Sequence, residues 1–241
     1  MLKFNKVLSG RLVLLTAVCF IAKLSGSLVY SAQAQTAKMD NVASADLYRS
    51  PADGGVRRWQ VAPDQSLQLY KDASTASAVI MAPAPGAILS NMGCAPAADK
   101  LWCKVRPLES REKGYALAEF LVPAKGPDGI IPMGVDDSKH RAVKRKFDAK
   151  GRISCAQEQG QTMGKCRVAI ARGVGGDATA VVTFLNGFSR KLTFVHGEFM
   201  KANSTMSGSG TDTDWSLTDG LHSIRVDDQR YELPDSLIFG E

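Results

Sequence analysis

Two close cysteine pairs, Cys94 with Cys103 and Cys155 with Cys166, are the residues whose type and spacing point most directly to chemistry. In a reducing compartment such a pair is a redox or metal site; in an oxidising one it is a brace. Structural zinc wants four converging Cys or His ligands, typically with about two to four residues inside each pair. Neither pair has that spacing, and His140, His196 and His222 are scattered, so no metal site is expected. A nucleophilic thiolate would need a lowered pKa and a neighbouring base, and no histidine stands near Cys103 in the sequence. Four cysteines admit three connectivities, of which two local disulfides are the economical choice.

Other residues carry weaker signals. Asp212, Asp214, Asp219, Asp227 and Asp228 are the candidates for paired acid and base work on a glycan, although such residues more often sit in polar turns. Arg172-Gly-Val-Gly-Gly-Asp177 is glycine-rich but lacks the Gly-Lys-Ser/Thr ending of a phosphate-binding loop, and strand-like residues follow it. A tight connection between strands is the better reading, and no cofactor motif is present. Lys139, Arg141, Lys144, Arg145 and Lys146 place five permanent positive charges in eight residues. An anionic surface would attract such a run, while a solvated linker is the plainer alternative.

The compartment decides what the cysteines do. Residues 1–34 read as a secretory signal: Lys3, Lys6 and Arg11 precede an apolar run from Leu12 to Ala22, and Ala32-Gln-Ala34 offers small residues for cleavage. Cys19 belongs to that run. The signal contains four of the 30 basic residues and none of the 24 acidic ones, so the mature chain keeps an excess of only two positive charges. That balance argues against nucleic acid as a partner. Export to a periplasmic or secreted location makes the disulfides the expected state.

Composition then divides the mature chain. Residues 35–56 have little apolar periodicity and read as a flexible lead-in, with order beginning near Trp59. From residue 57 to 124, short apolar clusters alternate with turn residues, as in Leu67-Gln-Leu-Tyr70 and Trp102-Cys-Lys-Val105. Residues 125–146 form a basic linker rich in breakers. Residues 147–241 return to strands. Thr179 to Leu185 and Phe188 to Val195 flank Asn186-Gly187, the strongest hairpin signal in the chain, with a tight primed turn expected there. Ser223–Val226 and Arg230–Leu233 predict a second hairpin, and Asn203–Asp214 reads as a polar loop. The fold class expected is all-β, in two small units.

Residues 57–124 resemble a bacterial SH3 module, a small β-barrel found on exported envelope proteins. The phrases that carry the likeness are Leu67-Gln-Leu-Tyr70, Ser74 to Ile80, Gly86-Ala-Ile-Leu89, Trp102-Cys-Lys-Val105 and Gly114 to Leu121, with Tyr70 standing where the family usually has an arginine. The resemblance puts Cys94 and Cys103 on neighbouring strands. It also implies binding of peptidoglycan, or of a peptide segment of another envelope protein, through aromatic side chains in a shallow groove. Tyr70, Trp102, Tyr115 and Phe120 are the candidates, with at least two of them expected in the core. Residues 147–241 look like the carboxy-terminal region of some SH3-containing exported proteins of Gram-negative bacteria, through Cys155-Ala-Gln157, Val168 to Gly173 and Arg230 to Gly240. The function expected is a non-enzymatic envelope adaptor; the alternative is an envelope hydrolase or inhibitor acting through the second unit.

Overall fold

The computed structural model describes residues 44–204 and 212–240. The signal read at residues 1–34, the first part of the lead-in and residues 205–211 of the polar loop lie outside them. The chain is all-β, built from two antiparallel sheets.

In the first sheet, β1 (Arg58–Val61), β2 (Leu69–Tyr70), β3 (Val79–Met81), β4 (Ile88–Ala97), β5 (Lys100–Pro107), β6 (Gly114–Leu117) and β7 (Leu121–Pro123) lie in the order β3-β2-β6-β5-β4-β1-β7 and curl almost into a barrel. Alternation explains the inside: Leu67 and Leu69 are buried while Gln68 and Tyr70 turn away, and Cys103 and Val105 join Trp59 and Leu89 in the core. Cys94 lies directly opposite Cys103 across β4 and β5, and the two are bonded. The connecting turn is Ala98-Asp99, both with positive φ (46° and 60°), a backbone that glycine usually supplies.

The second sheet contains β8 (Ala149–Ala156), β9 (Gly164–Arg172), β10 (Ala178–Thr183), β11 (Ser189–Val195), β12 (Glu198–Ala202), β13 (Thr213–Thr218), β14 (Leu221–Val226) and β15 (Gln229–Pro234). Their order is β12-β11-β10-β9-β8-β15-β14-β13, so the last three strands add to the free side of β8. Ile170, Val182, Leu192, Phe194, Tyr231 and Leu233 fill its core, closed by Ile238 from the short helix Ser236–Phe239. A second disulfide, Cys155–Cys166, joins β8 to β9. Both predicted hairpins form, as β10 with β11 and β14 with β15. The first turns differently from expectation. Phe184 N–H donates to Phe188 O (2.9 Å), leaving a three-residue loop in which only Gly187 has positive φ and Leu185 stands 96% exposed at the tip.

Two stretches are more ordered than their composition indicated. The lead-in is packed from Leu47: the helix α1 (Ser44–Leu47) is followed by Tyr48, which stacks on Trp59 (centroids 5.4 Å apart), and Val56 is fully buried. The buried Asn91 holds this segment, its Nδ2 donating to Arg49 O (2.7 Å) and Val56 O (2.8 Å). The basic linker is likewise packed. Residues Ser138–Val143 form a helix, α2, which lies on β9 and β10 with Ala142 buried and the Ser138 hydroxyl 3.1 Å from that of Thr179. Arg141 is engaged internally by Asp137 (3.1 Å) and Asp148 (2.8 Å).

The two sheets meet through a charged cluster. Asp177, at the end of the glycine-rich connection between β9 and β10, accepts hydrogen bonds from Arg57 (2.8 Å) and from Arg58. Arg57 also donates to the carbonyls of Gly134 (2.9 Å), Val135 (3.1 Å) and Val174 (3.2 Å), and His196 N–H donates to Asp177 (3.1 Å).

Candidate functional site

On β5 the pleat sends Cys103 and Val105 inward, so Trp102 and Lys104 face out. The register sets Trp102 opposite Leu117, Lys104 opposite Tyr115, and Tyr115 opposite Tyr70. Three of the four aromatic candidates, Tyr70, Trp102 and Tyr115, therefore share the outer face of the sheet. Trp102 is nevertheless only 3% exposed, and it lies outside the main core cluster. Tyr70 meets it edge-on, with centroids 5.6 Å apart. This outer face thus has an apolar cluster of its own, in which Trp102 supports Tyr70 and offers almost no surface to a ligand.

Phe120, in the 3₁₀ turn Ala118–Phe120, is half-buried against the main core and also borders this face. With Ser66, Gln68, Tyr70 and Leu117 it lines a cleft of about 180 Å³. The Tyr70 hydroxyl donates to Gln68 Oε1 (2.8 Å), which fixes the ring at the rim. Tyr115 lies beside the cleft by register, with Lys104 Nζ 5.6 Å from its ring centroid. Pockets for whole small ligands run from about 300 Å³ upward. This cleft is smaller and fits one sugar ring or one side chain of an extended ligand. Its lining offers rings, hydroxyls and an amide, and no carboxylate or imidazole, an equipment suited to binding rather than to proton transfer.

In the second sheet, two of the five candidate carboxylates are paired with arginines. Asp212 is held by Arg225 (2.8 and 3.3 Å), and Asp227 by Arg190 (2.7 Å), around an open cleft of about 550 Å³ that Asp228 and Arg230 also line. The hydrogen bond from Arg225 keeps the Asp212 carboxyl below its usual range. A glycosidic general acid requires the opposite shift.

The remaining candidates are dispersed. His140 is exposed on α2, and His196 occupies the turn between β11 and β12. His222 is fully buried, its Nδ1 accepting from Trp215 Nε1–H (3.0 Å). Among the described residues no three His, Cys, Asp or Glu side chains gather where they could hold a metal ion. All four cysteines of the described chain are joined in disulfides, which fits an oxidising compartment. Among the described residues no helix is long and apolar enough to cross a membrane.

Sequence reasoning did not single out Arg57, Arg58, Asp177 or Asn91. The adjacent arginines before Trp59 and the aspartate closing Gly175-Gly176 were the available signals, and their meaning depends on a contact more than a hundred residues apart in sequence. Compared with models of known families, with curated proteins and with solved structures, the chain matches none.

Proposed function

We propose that the protein is a non-enzymatic binding module of the cell envelope, periplasmic or secreted. In this reading its first β unit acts as an SH3-like adaptor, holding peptidoglycan or a peptide segment of an envelope protein. The observation that supports it is the cleft lined by Tyr70, Leu117 and Phe120, with the buried Trp102 edge-on against Tyr70. Rings held in one orientation contribute contact area at low entropic cost, and the hydroxyls and the amide around them suit sugar or backbone groups. The two disulfides fit the compartment in which such ligands occur.

The test incubates the purified protein with cell-wall sacculi and measures both pelleting and released fragments, beside crosslinking in a native envelope preparation. The reading expects pelleting, or a crosslinked envelope protein bound at residues 66–70 and 117–120, without soluble fragments. Tyr70→Ala combined with Phe120→Ala weakens capture by more than about tenfold, as loss of interface anchors does, while Tyr70→Phe retains most of it. Fragments released by the protein, or capture indifferent to the double substitution in a variant with native circular dichroism, would sink the proposal.

A further inference from the structure

The outer face of the second sheet, beside the end of α2, contains a groove of about 720 Å³ whose charged lining is Arg145, Lys150, Arg167 and Lys191. No acidic residue lines it. The sheet register orders these cations. Lys150, Ala169, Val181 and Lys191 form one row across β8 to β11, and Arg152, Arg167, Thr183 and Ser189 form the next. Neighbouring strands are about 4.8 Å apart, so Lys150 and Lys191, three strands distant, are separated by roughly 14 Å.

Two features, one within the groove and one at its edge where Arg152 pairs with the lining residue Arg167, work against stability. Arg152 and Arg167 lie directly opposite one another, a like-charge cross-strand pair. Arg145 follows the C-cap of α2 with a φ of 57°, where Lys146 N–H donates to Arg141 O (2.8 Å) and Arg145 N–H to Ala142 O (3.1 Å). That helix ending favours glycine. Among the described residues, none of the side chains of Arg145, Lys150, Arg152, Arg167 and Lys191 closes on a carboxylate, whereas Arg57, Arg58, Arg141, Arg190 and Arg225 all do. Strained or repelling groups that converge on one concavity mark a place where a ligand supplies the missing charge.

We propose that this groove binds an acidic glycan, a linear polysaccharide carrying carboxylate or phosphate groups at intervals. The span of the cations exceeds a single phosphate and calls for repeated negative charge. Ala169 and Val181 lie in the same lining, between Lys150 and Lys191 in the row. Phe147 is the one aromatic side chain in the lining, too few for the base stacking that single-stranded nucleic acid uses. The hydroxyls of Thr183 and Ser189, 2.9 Å apart, sit among the cations where sugar hydroxyls would meet them. This site is separate from the aromatic cleft, and Arg141 takes no part in it.

The experiment follows fluorescence anisotropy of labelled polygalacturonate with the full mature protein, against neutral dextran and phosphatidylglycerol vesicles. Binding is expected to saturate and to weaken with added salt. Arg152→Gln with Arg167→Gln weakens it at least about tenfold, equivalent to about 1.4 kcal/mol. Lys71→Gln with Lys113→Gln, which removes the same charge from the first sheet, changes it by less than about half that energy. Arg145→Gly weakens binding while raising the melting temperature by roughly 2–4 °C, a combination that a merely structural role of Arg145 does not produce and that shows the variant to be folded. Equal losses in the control pair, equal binding of neutral dextran, or capture by vesicles with none by the polymer each overturn the proposal.

Discussion

Removing the carboxylate of Asp177 should be among the most damaging single changes in the protein. Asp177 is 1% exposed, and its two oxygens hold Arg57 at 2.8 Å and the buried Arg58. Taking away one partner of a buried ion pair costs about 3–5 kcal/mol, because the other charge is left without compensation. Here two cations lose the same anion, but unequally. Arg57 keeps the carbonyls of Gly134, Val135 and Val174, whereas the second Nη of Arg58 already has no partner. Most of the penalty for Asp177→Ala therefore lies on Arg58. Urea unfolding, followed by the fluorescence of Trp59 next to Arg58 in β1, should show a midpoint lowered in proportion with an unchanged slope. Adding Arg58→Met to Asp177→Ala should recover part of the loss, since it removes the stranded cation and leaves an apolar chain in its place. The reasoning fails if Asp177→Ala costs less than about 1 kcal/mol, or if the second substitution adds its own full cost.

Three further outcomes follow from the same structure. Burial holds the His222 imidazole below its usual range, and the bond from Trp215 requires an unprotonated Nδ1. Its stabilisation is thus complete above the unfolded pKa of about 6.5 and is lost as the pH falls through that value toward the lowered folded one, at up to about 1.4 kcal/mol per pH unit. Unfolding midpoints across that window should flatten in His222→Phe, and an unchanged slope would contradict the assignment; His196, lowered by burial and by Arg58, leaves a residual dependence. Replacing Cys94 and Cys103 by Ser should cost about 2.7 kcal/mol and the Cys155–Cys166 pair a similar amount, on chain entropy for closed loops of this size. Calorimetry of each double variant against the oxidised parent checks this. Arg145→Gly should stabilise the fold by about 1 kcal/mol through relief of its left-handed backbone, read as a rise in the urea midpoint.

Where side chains alternate on a pleated strand, the sequence was sufficient. Trp102-Cys-Lys-Val105 and the run from Thr179 to Val195 located strands because burial on one face leaves a period of two. The lead-in escaped notice because its order comes from elsewhere: Asn91 and Trp59 hold residues 48–56, and neither contact leaves a local pattern. The helix α2 is six residues long with Ser138 and Ala142 as its buried members, too little to show a helical period. Turns were the least legible. Ala98-Asp99 carries positive φ without glycine, and Asn186 accepts from Phe188 N–H (3.0 Å) through its side chain while Gly187 alone takes the left-handed backbone. For the aromatic face, the residue types were visible but the register was not. Trp102 is buried, as expected for one of the four, but outside the main core cluster; it packs behind Tyr70 on the opposite side of the sheet.

The placement of charge separates support from function more sharply than residue type does. The chain has acidic residues enough to neutralise the arginines it buries, and it uses Asp177 and Asp227 for that purpose. Along the groove beside α2 it leaves cations facing cations, although a carboxylate at Thr183 or Ser189 would sit in the same row as Arg152 and Arg167. Net charge does not explain this, because residues 35–241 have an excess of only two positive charges. The two sets of arginines should therefore respond oppositely to neutralisation. Changing Arg58 alone strands Asp177 and lowers stability, whereas changing Arg167 to Gln relieves repulsion and leaves stability equal or higher. An Arg167→Gln variant that unfolds more readily than the parent would mean that the groove cations serve the fold after all, and the ligand inferred for them would lose its physical basis.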